Sequence, residues 1–143
     1  MGRSALLWEV FNRDEGDAPS VDLDAERRTG VFIRENVQWI DCCTDVSDGG
    51  IAMAAYEMAH AGEVGVIIDE GGTADLFGED QGRYLVACSF DKAEALMVAA
   101  GQAGVEIATI GRFAGADVVL SGSAAPLAEL AALDAATMPS LFG

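Results

Sequence analysis

Apolar positions along this chain alternate between helical and strand-like spacing, and the switches divide it into short elements. Leu6, Leu7, Val10 and Phe11 recur at helical spacing, and the turn-rich NRDEGDAPS follows. The helical period resumes in VDLDAERRTGVFIRENVQWI through Ile33, Val37 and Ile40, with Gly30 interrupting it. DCCTDV reads as a short strand. Directly after it, Ile51, Ala54, Ala55 and Met58 fall at i, i+3, i+4 and i+7, with Glu57 marking a wetter side and Gly62 a stop. EVGVIID and RYLVACS, which ends at Ser89, read as strands separated by the acidic, glycine-rich loop EGGTADLFGEDQG. Asp91 opens a helix, DKAEALMVAAGQAG, with Ala93, Leu96, Met97 and Ala100 on one face. VEIATIGRF and DVVLSG read as a hairpin turning at Gly115, and the tail APLAELAALDAATMPSLFG as a helix broken at Pro139.

From residue 41 the order is therefore β-α-β-β-α-β-β-α. It predicts an α+β fold in α/β/α layers, with a mixed β-sheet and packed helices. Residues 1–40 form a helical lead-in with two extra N-terminal helices, and residues 41–143 the mixed-sheet domain, one structural domain overall. A length of 143 residues suits a single core, with 51% hydrophobic but only 7% aromatic residues to build it from Ala, Val, Ile and Leu.

Charge narrows the function. Eight Lys and Arg against 24 Asp and Glu leave −16, which argues against nucleic acid as a partner, since phosphate backbones need a positive footprint. Any phosphate would have to bind through backbone N–H groups, a helix N-terminus or bridging Mg²⁺. No apolar run is long enough to span a membrane and no signal-peptide pattern opens the chain, so a cytoplasmic domain is expected. Cys42, Cys43 and Cys88 read as small buried thiols of a reducing compartment, without zinc-ligand spacing. His60 lacks an acid–nucleophile partner, and Ser89, Ser121 and Ser123 lack a histidine in sequence context. No catalytic residue is assigned.

Two stretches carry candidate chemistry. In Ser47-Asp48-Gly49-Gly50 a strand gives way to a helix through a glycine turn, and such a turn can cradle phosphate on free N–H groups. The same residues also serve as an ordinary cap, with Ser47 or Asp48 capping the helix. Asp45, two residues before Ser47 on the same strand face, could hold Mg²⁺ together with Asp48, or be part of a solvated acidic turn. In LFGEDQGR, the residues Glu79, Asp80, Gln81 and Arg83 crowd a turn, where Arg83 can pair with a carboxylate and order the loop.

Taken together, TDVSDGGIAMAAYEMA and LFGEDQGRYLV resemble the C-terminal domain of phosphoribosylformylglycinamidine synthase, a synthetase of purine biosynthesis, and EGDAPSVDLDAERRTGVFIREN resembles the lead-in to it. The resemblance spans nearly the whole chain. It implies an aminoimidazole ribonucleotide synthetase C-terminal domain-like fold, the last of four domains in a longer enzyme. MGRS looks like the family's Leu-Gly-x-Ser with a start methionine in place of Leu, which implies an expressed fragment with a native C-terminus.

For the full-length enzyme the resemblance implies an ATP-dependent C–N ligase. ATP activates the amide oxygen of formylglycinamide ribonucleotide, and glutamine-derived ammonia displaces phosphate to give the amidine. The catalytic histidine and most substrate contacts belong to upstream domains, so the fragment is expected to be inactive alone. By pseudo-symmetry, Asp45 would be a Mg²⁺ ligand and Ser47, Asp48, Gly49 and Gly50 would line an auxiliary nucleotide site. Glu79, Asp80, Gln81 and Arg83 form the second family motif, at an interface. ATP or ADP and Mg²⁺ are implied for the full enzyme, with none firmly held by the fragment. Implied partners are the upstream domains and a glutaminase subunit or domain, with self-association of the fragment through its uncovered surface. Thr44 stands where many relatives carry His, so no role of that histidine transfers. The competing readings are a free-standing acidic binding or regulatory module and another synthetase of the superfamily, such as a selenophosphate synthetase-like protein, against which the paired motifs speak.

Overall fold

A computed structural model of the chain describes residues 2–17, 19–69 and 71–142. Met1 of the MGRS start, Ala18 and Glu70 of the two loops, and Gly143 lie outside the described residues. After a π-helical turn at Leu6–Val10 come α1 (Leu23–Glu35), a 3₁₀ turn (Val37–Trp39), β1 (Cys42–Asp45), α2 (Gly50–Ala61), β2 (Val66–Ile68), α3 (Thr73–Phe77), β3 (Tyr84–Ala87), α4 (Phe90–Ala103), β4 (Gly111–Phe113), β5 (Asp117–Leu120), β6 (Ser123–Pro126) and α5 (Leu127–Phe142). The fold is α+β, with two sheets in place of one. Two compact units interleave in sequence: residues 1–54 with 73–109, and residues 55–72 with 110–143. The chain passes from one to the other inside α2.

In the first unit β1 and β3 pair antiparallel, Asp45 opposite Tyr84 and Cys42 opposite Ala87. Its core centres on Phe32 of α1 and on Leu96 and Ala100 of α4, with Ile33, Trp39, Ile40, Val86 and Ile107 packed around them. Asp22 starts α1: its carboxylate accepts the N–H groups of Asp24 and Ala25 at 3.0 and 2.9 Å, satisfying two otherwise orphaned donors. Gly30 sits within α1 without breaking it. Gly104 ends α4 in the left-handed region at φ 65°.

Several expectations fail here for identifiable reasons. The first helix is only the π-helical turn, and Val10 and Phe11 are exposed, because turn residues follow them immediately and leave the apolar positions no length to build a buried face. Met97 is 44% exposed, the buried stripe of α4 running through Leu96 and Ala100 instead. Cys42 and Cys43 are exposed on the two-stranded ribbon and only Cys88 is half-buried, since so narrow a sheet covers little of β1. Although Cys43 is exposed as a residue, partial burial of its sulfur raises the thiol's pKa, helped by the charges of Cys42 and Asp45.

In the second unit the sheet order is β4-β2-β5-β6. The expected β4–β5 hairpin through Gly115 does not form. Strand β2 lies between its two arms, antiparallel to β4 and parallel to β5. The Gly115 turn instead wraps the start of β2: Gly65 N–H donates to Gly115 O at 2.9 Å and Ala114 N–H to Gly65 O at 2.8 Å. Gly65 permits this, for a Cβ there would lie 2.4 Å from Asp117 O and 2.7 Å from Ala114 O. The actual hairpin joins β5 to β6 through Ser121 and Gly122, at φ 47° and 84°, the paired positive values that suit a right-twisted two-residue turn. Helix α5 runs through Pro139 to Phe142, so the break expected at that proline is not seen. Ala55, Ala59, Val66, Ile68 and Val118 are buried.

Candidate functional site

The two motifs meet in the first unit. Strand β1 ends at Asp45, and Val46 extends its ladder by donating its N–H to Arg83 O at 3.0 Å, which places the residues after β1 beside those before β3. A cleft of about 380 Å³ opens there, lined by Asp45, Val46, Ser47 and Asp48 from one motif and Glu79, Gln81, Gly82, Arg83 and Tyr84 from the other. Glu26 of α1, Gly2, Arg3 and Pro19 complete the wall. Asp80 is not among the lining residues. It faces Arg83, whose Nη2 lies 4.0 Å from its Oδ2.

The Gly49-Gly50 turn is closed from within. Gly49 takes φ 80° and Gly50 φ 66°, conformations that side chains rarely adopt. Gly50 is pressed against the backbone at the end of α3, where a Cβ would lie 2.6 Å from Leu76 O and 2.8 Å from Gly78 O. Its N–H donates to Ser47 O at 3.0 Å, and that of Gly49 donates to Glu79 Oε1 at 2.9 Å. The same Glu79 oxygen accepts the N–H of Ala5 at 2.8 Å. Both glycine amides are therefore bonded within the chain, and a carboxylate of the chain itself lies beside the N-terminus of α2, where the helix dipole favours negative charge.

Arg83 orders the acidic loop more through carbonyls than through carboxylates. Its guanidinium donates to Gly78 O in a short bond and to Asp80 O at 3.5 Å. Asp45, Ser47, Asp48 and Gln81 are exposed, so their side chains are what the cleft presents to solvent. Mg²⁺ is commonly held by one or two carboxylates plus phosphate oxygens, and Asp45 and Asp48 match that partial demand. Among the described residues no three His, Cys, Asp or Glu side chains gather into a metal-binding group, so the rest of such a shell would come from elsewhere. His60 is exposed in the last turn of α2, stacked on Tyr56 with ring centroids 5.8 Å apart. Thr44 pairs with Leu85 in the β1–β3 ladder and does not line the cleft.

Sequence reasoning missed Arg3, Glu26 and Tyr84. The pairing of Asp45 with Tyr84 follows once β1 and β3 are known to be partners, but nothing in the pattern announces that Arg3 arrives from the far end of the chain.

Comparison with known proteins agrees with this architecture. Residues 2–121 match the family described as AIR synthase related protein, C-terminal domain. The phosphoribosylformylglycinamidine synthase subunit PurL of Jannaschia sp. (strain CCS1) is 62% identical over 132 residues, covering 92% of this chain and 18% of that subunit. The PurL subunit of Ruegeria sp. (strain TM1040) is 62% identical over 130 residues, again 18% of its length. The chain therefore spans about a fifth of the length of these relatives. Among solved structures, T. maritima PurL complexed with FGAR superposes with a TM-score of 0.72 at 19% identity, over 91% of this chain and 26% of that one. T. maritima PurL complexed with ATP gives 0.71 at 20% identity, over 91% of this chain and 24% of that one, a likeness of fold. With the family match running through both motifs and most of the chain, this protein belongs to the family of AIR synthase related C-terminal domains.

Proposed function

We propose that this chain is the C-terminal domain of a synthetase that converts formylglycinamide ribonucleotide, ATP and glutamine-derived ammonia to formylglycinamidine ribonucleotide. The observation that carries the reading is 62% identity over 92% of the chain to a PurL subunit. The T. maritima PurL complexes with FGAR and with ATP concern a protein of the same fold and support a nucleotide-using assembly. Within it, this domain has a structural role and lines an auxiliary nucleotide site. Asp45 and Asp48 would offer carboxylate oxygens to Mg²⁺ and Ser47 a hydroxyl to phosphate, with Gly49 and Gly50 shaping the turn behind them. Bound Mg²⁺ would supply the positive charge that lets an acidic cleft accept a polyphosphate.

The catalytic groups belong to the remainder of the polypeptide, so the chain by itself is inactive. Its working partners are the upstream domains and a glutaminase subunit or domain, in the cytoplasm. Without them, exposed apolar residues such as Trp8, Phe11 and Phe90 favour self-association. No helix among the described residues is long and apolar enough to cross a membrane.

A chimera tests the reading: this chain replaces the matching segment of the Jannaschia subunit, and ATP- and formylglycinamide ribonucleotide-dependent ADP release is followed with an ammonia source. Activity close to that of the parent supports the assignment. A folded, inactive chimera overturns it, and so does turnover by the isolated chain for the claim that it is inactive alone.

A further inference from the structure

The bonding around Glu79 goes beyond motif membership. One carboxylate oxygen receives N–H groups from residues 74 and 30 positions away, Ala5 and Gly49, and the side chain is partly buried. The loop that carries it is itself held, by Arg83 on Gly78 O and by the close seating of Leu76 and Gly78 carbonyls over Gly50. Ala5 lies two residues after Arg3, a cleft-lining residue at φ 56° whose N–H donates to Glu15 O at 3.0 Å. Pinning Ala5 therefore sets where Arg3 stands. Pinning Gly49 turns that amide inward and leaves the side chains of Ser47 and Asp48 on the open side of the cleft.

We propose that Glu79 is the positioning residue of this cleft, fastening the N-terminal segment and the glycine turn together so that side chains, not the turn's amides, meet the ligand. This deepens the auxiliary nucleotide-site reading and, for the ligand part, rests on it. A charged acceptor suits the task, because bonds to a carboxylate are shorter and stronger than those to a neutral oxygen, and both donors lie on backbone that no side-chain change can supply.

Amide hydrogen exchange and NMR shifts on the whole chain test it. In Glu79→Ala, which removes the shared acceptor, protection at both Ala5 and Gly49 falls about tenfold or more, the equivalent of losing one charged hydrogen bond, while Val105, bonded to Ala100 O, is unchanged. In Ala5→Pro only the N-terminal bond is removed, and the native φ of −53° accommodates proline. Arg3 then loses protection and Gly49 keeps it. Unchanged Ala5 and Gly49 in Glu79→Ala overturn the clasp, and if that variant does not fold, an unchanged Arg3 amide in Ala5→Pro does so. Titration with Mg²⁺ and ATP is the second arm: Asp45, Ser47 and Asp48 shift, Gly49 stays protected, and affinity falls about tenfold in Ala5→Pro as one positioned contact is lost. ATP binding that strips protection from Gly49, or that is indifferent to Ala5→Pro, overturns the positioning role. Absence of any nucleotide shift even at millimolar Mg²⁺ and ATP, where weak binding by the chain alone would register, overturns the nucleotide-site reading instead, and the exchange arm then decides the clasp alone.

Discussion

A single methyl group at Gly50 measures how tightly the two motifs are seated on each other. Gly50→Ala meets two penalties. The residue stands at φ 66°, where an L side chain costs about 1–2 kcal/mol, and its Cβ would lie 2.6 Å from Leu76 O and 2.8 Å from Gly78 O. Those neighbours are backbone atoms, which cannot rotate away as a flexible side chain can, so overpacking adds about 1–3 kcal/mol. The expected loss is about 2–5 kcal/mol, a large part of the 5–15 kcal/mol typical of a domain. Two glycines of the same unit calibrate the figure. Gly104 shares the left-handed backbone, at φ 65°, but a Cβ there would meet nothing within 4 Å, so Gly104→Ala carries only the backbone cost of about 1–2 kcal/mol. Gly101 lies inside α4 with no positive φ and open space around it, and Gly101→Ala gains about 0.5–1 kcal/mol through helix propensity. Urea unfolding followed by tryptophan fluorescence suits all three, since Trp8 and Trp39 both belong to this unit. The expected order of midpoints is Gly101→Ala, wild type, Gly104→Ala, Gly50→Ala. Should Gly50→Ala cost no more than Gly104→Ala, the close seating of the Leu76–Gly78 backbone on the turn is refuted.

Asp41 accepts the Ser89 N–H at 3.0 Å and is paired with Lys92, whose hydrogen bond is the main cause of its lowered pKa. A carboxyl whose pKa is depressed by folding contributes stability above its unfolded value, about 3.9, and loses that contribution as pH falls through the folded value. Lys92→Met is therefore expected to lower the thermal midpoint at pH 7 and to match wild type near pH 2; a gap that persists in acid would contradict the linkage. Asp22→Ala removes the acceptor of two N–H groups at the start of α1, for an expected loss of about 1 kcal/mol in chemical denaturation. A neutral result there would mean that solvent satisfies those donors equally well.

The sequence by itself determined what depends on near neighbours. The 3.6-residue period placed α2 and its buried Ala54, Ala55 and Met58 correctly, with Glu57 exposed, because a helix presents one face whatever it packs against. It also supplied the two motifs and their acidic surroundings. The strand β6 escaped because Ser123, Ala124, Ala125 and Pro126 have little preference for strands; the Ser121-Gly122 pair before them was the available signal. Partner choice was decided only in three dimensions. Strand β2 separates β4 from β5 because Gly65 lets the Gly115 turn close around its start, a steric fact about atoms some fifty residues apart in sequence. The glycine turn shows the same division. Its residues could equally receive a phosphate or a protein carboxylate, since an N–H group does not distinguish which anion approaches. Tertiary packing brings Glu79 to Gly49 and Ala5, and leaves the side chains of Asp45, Ser47 and Asp48 lining the open cleft.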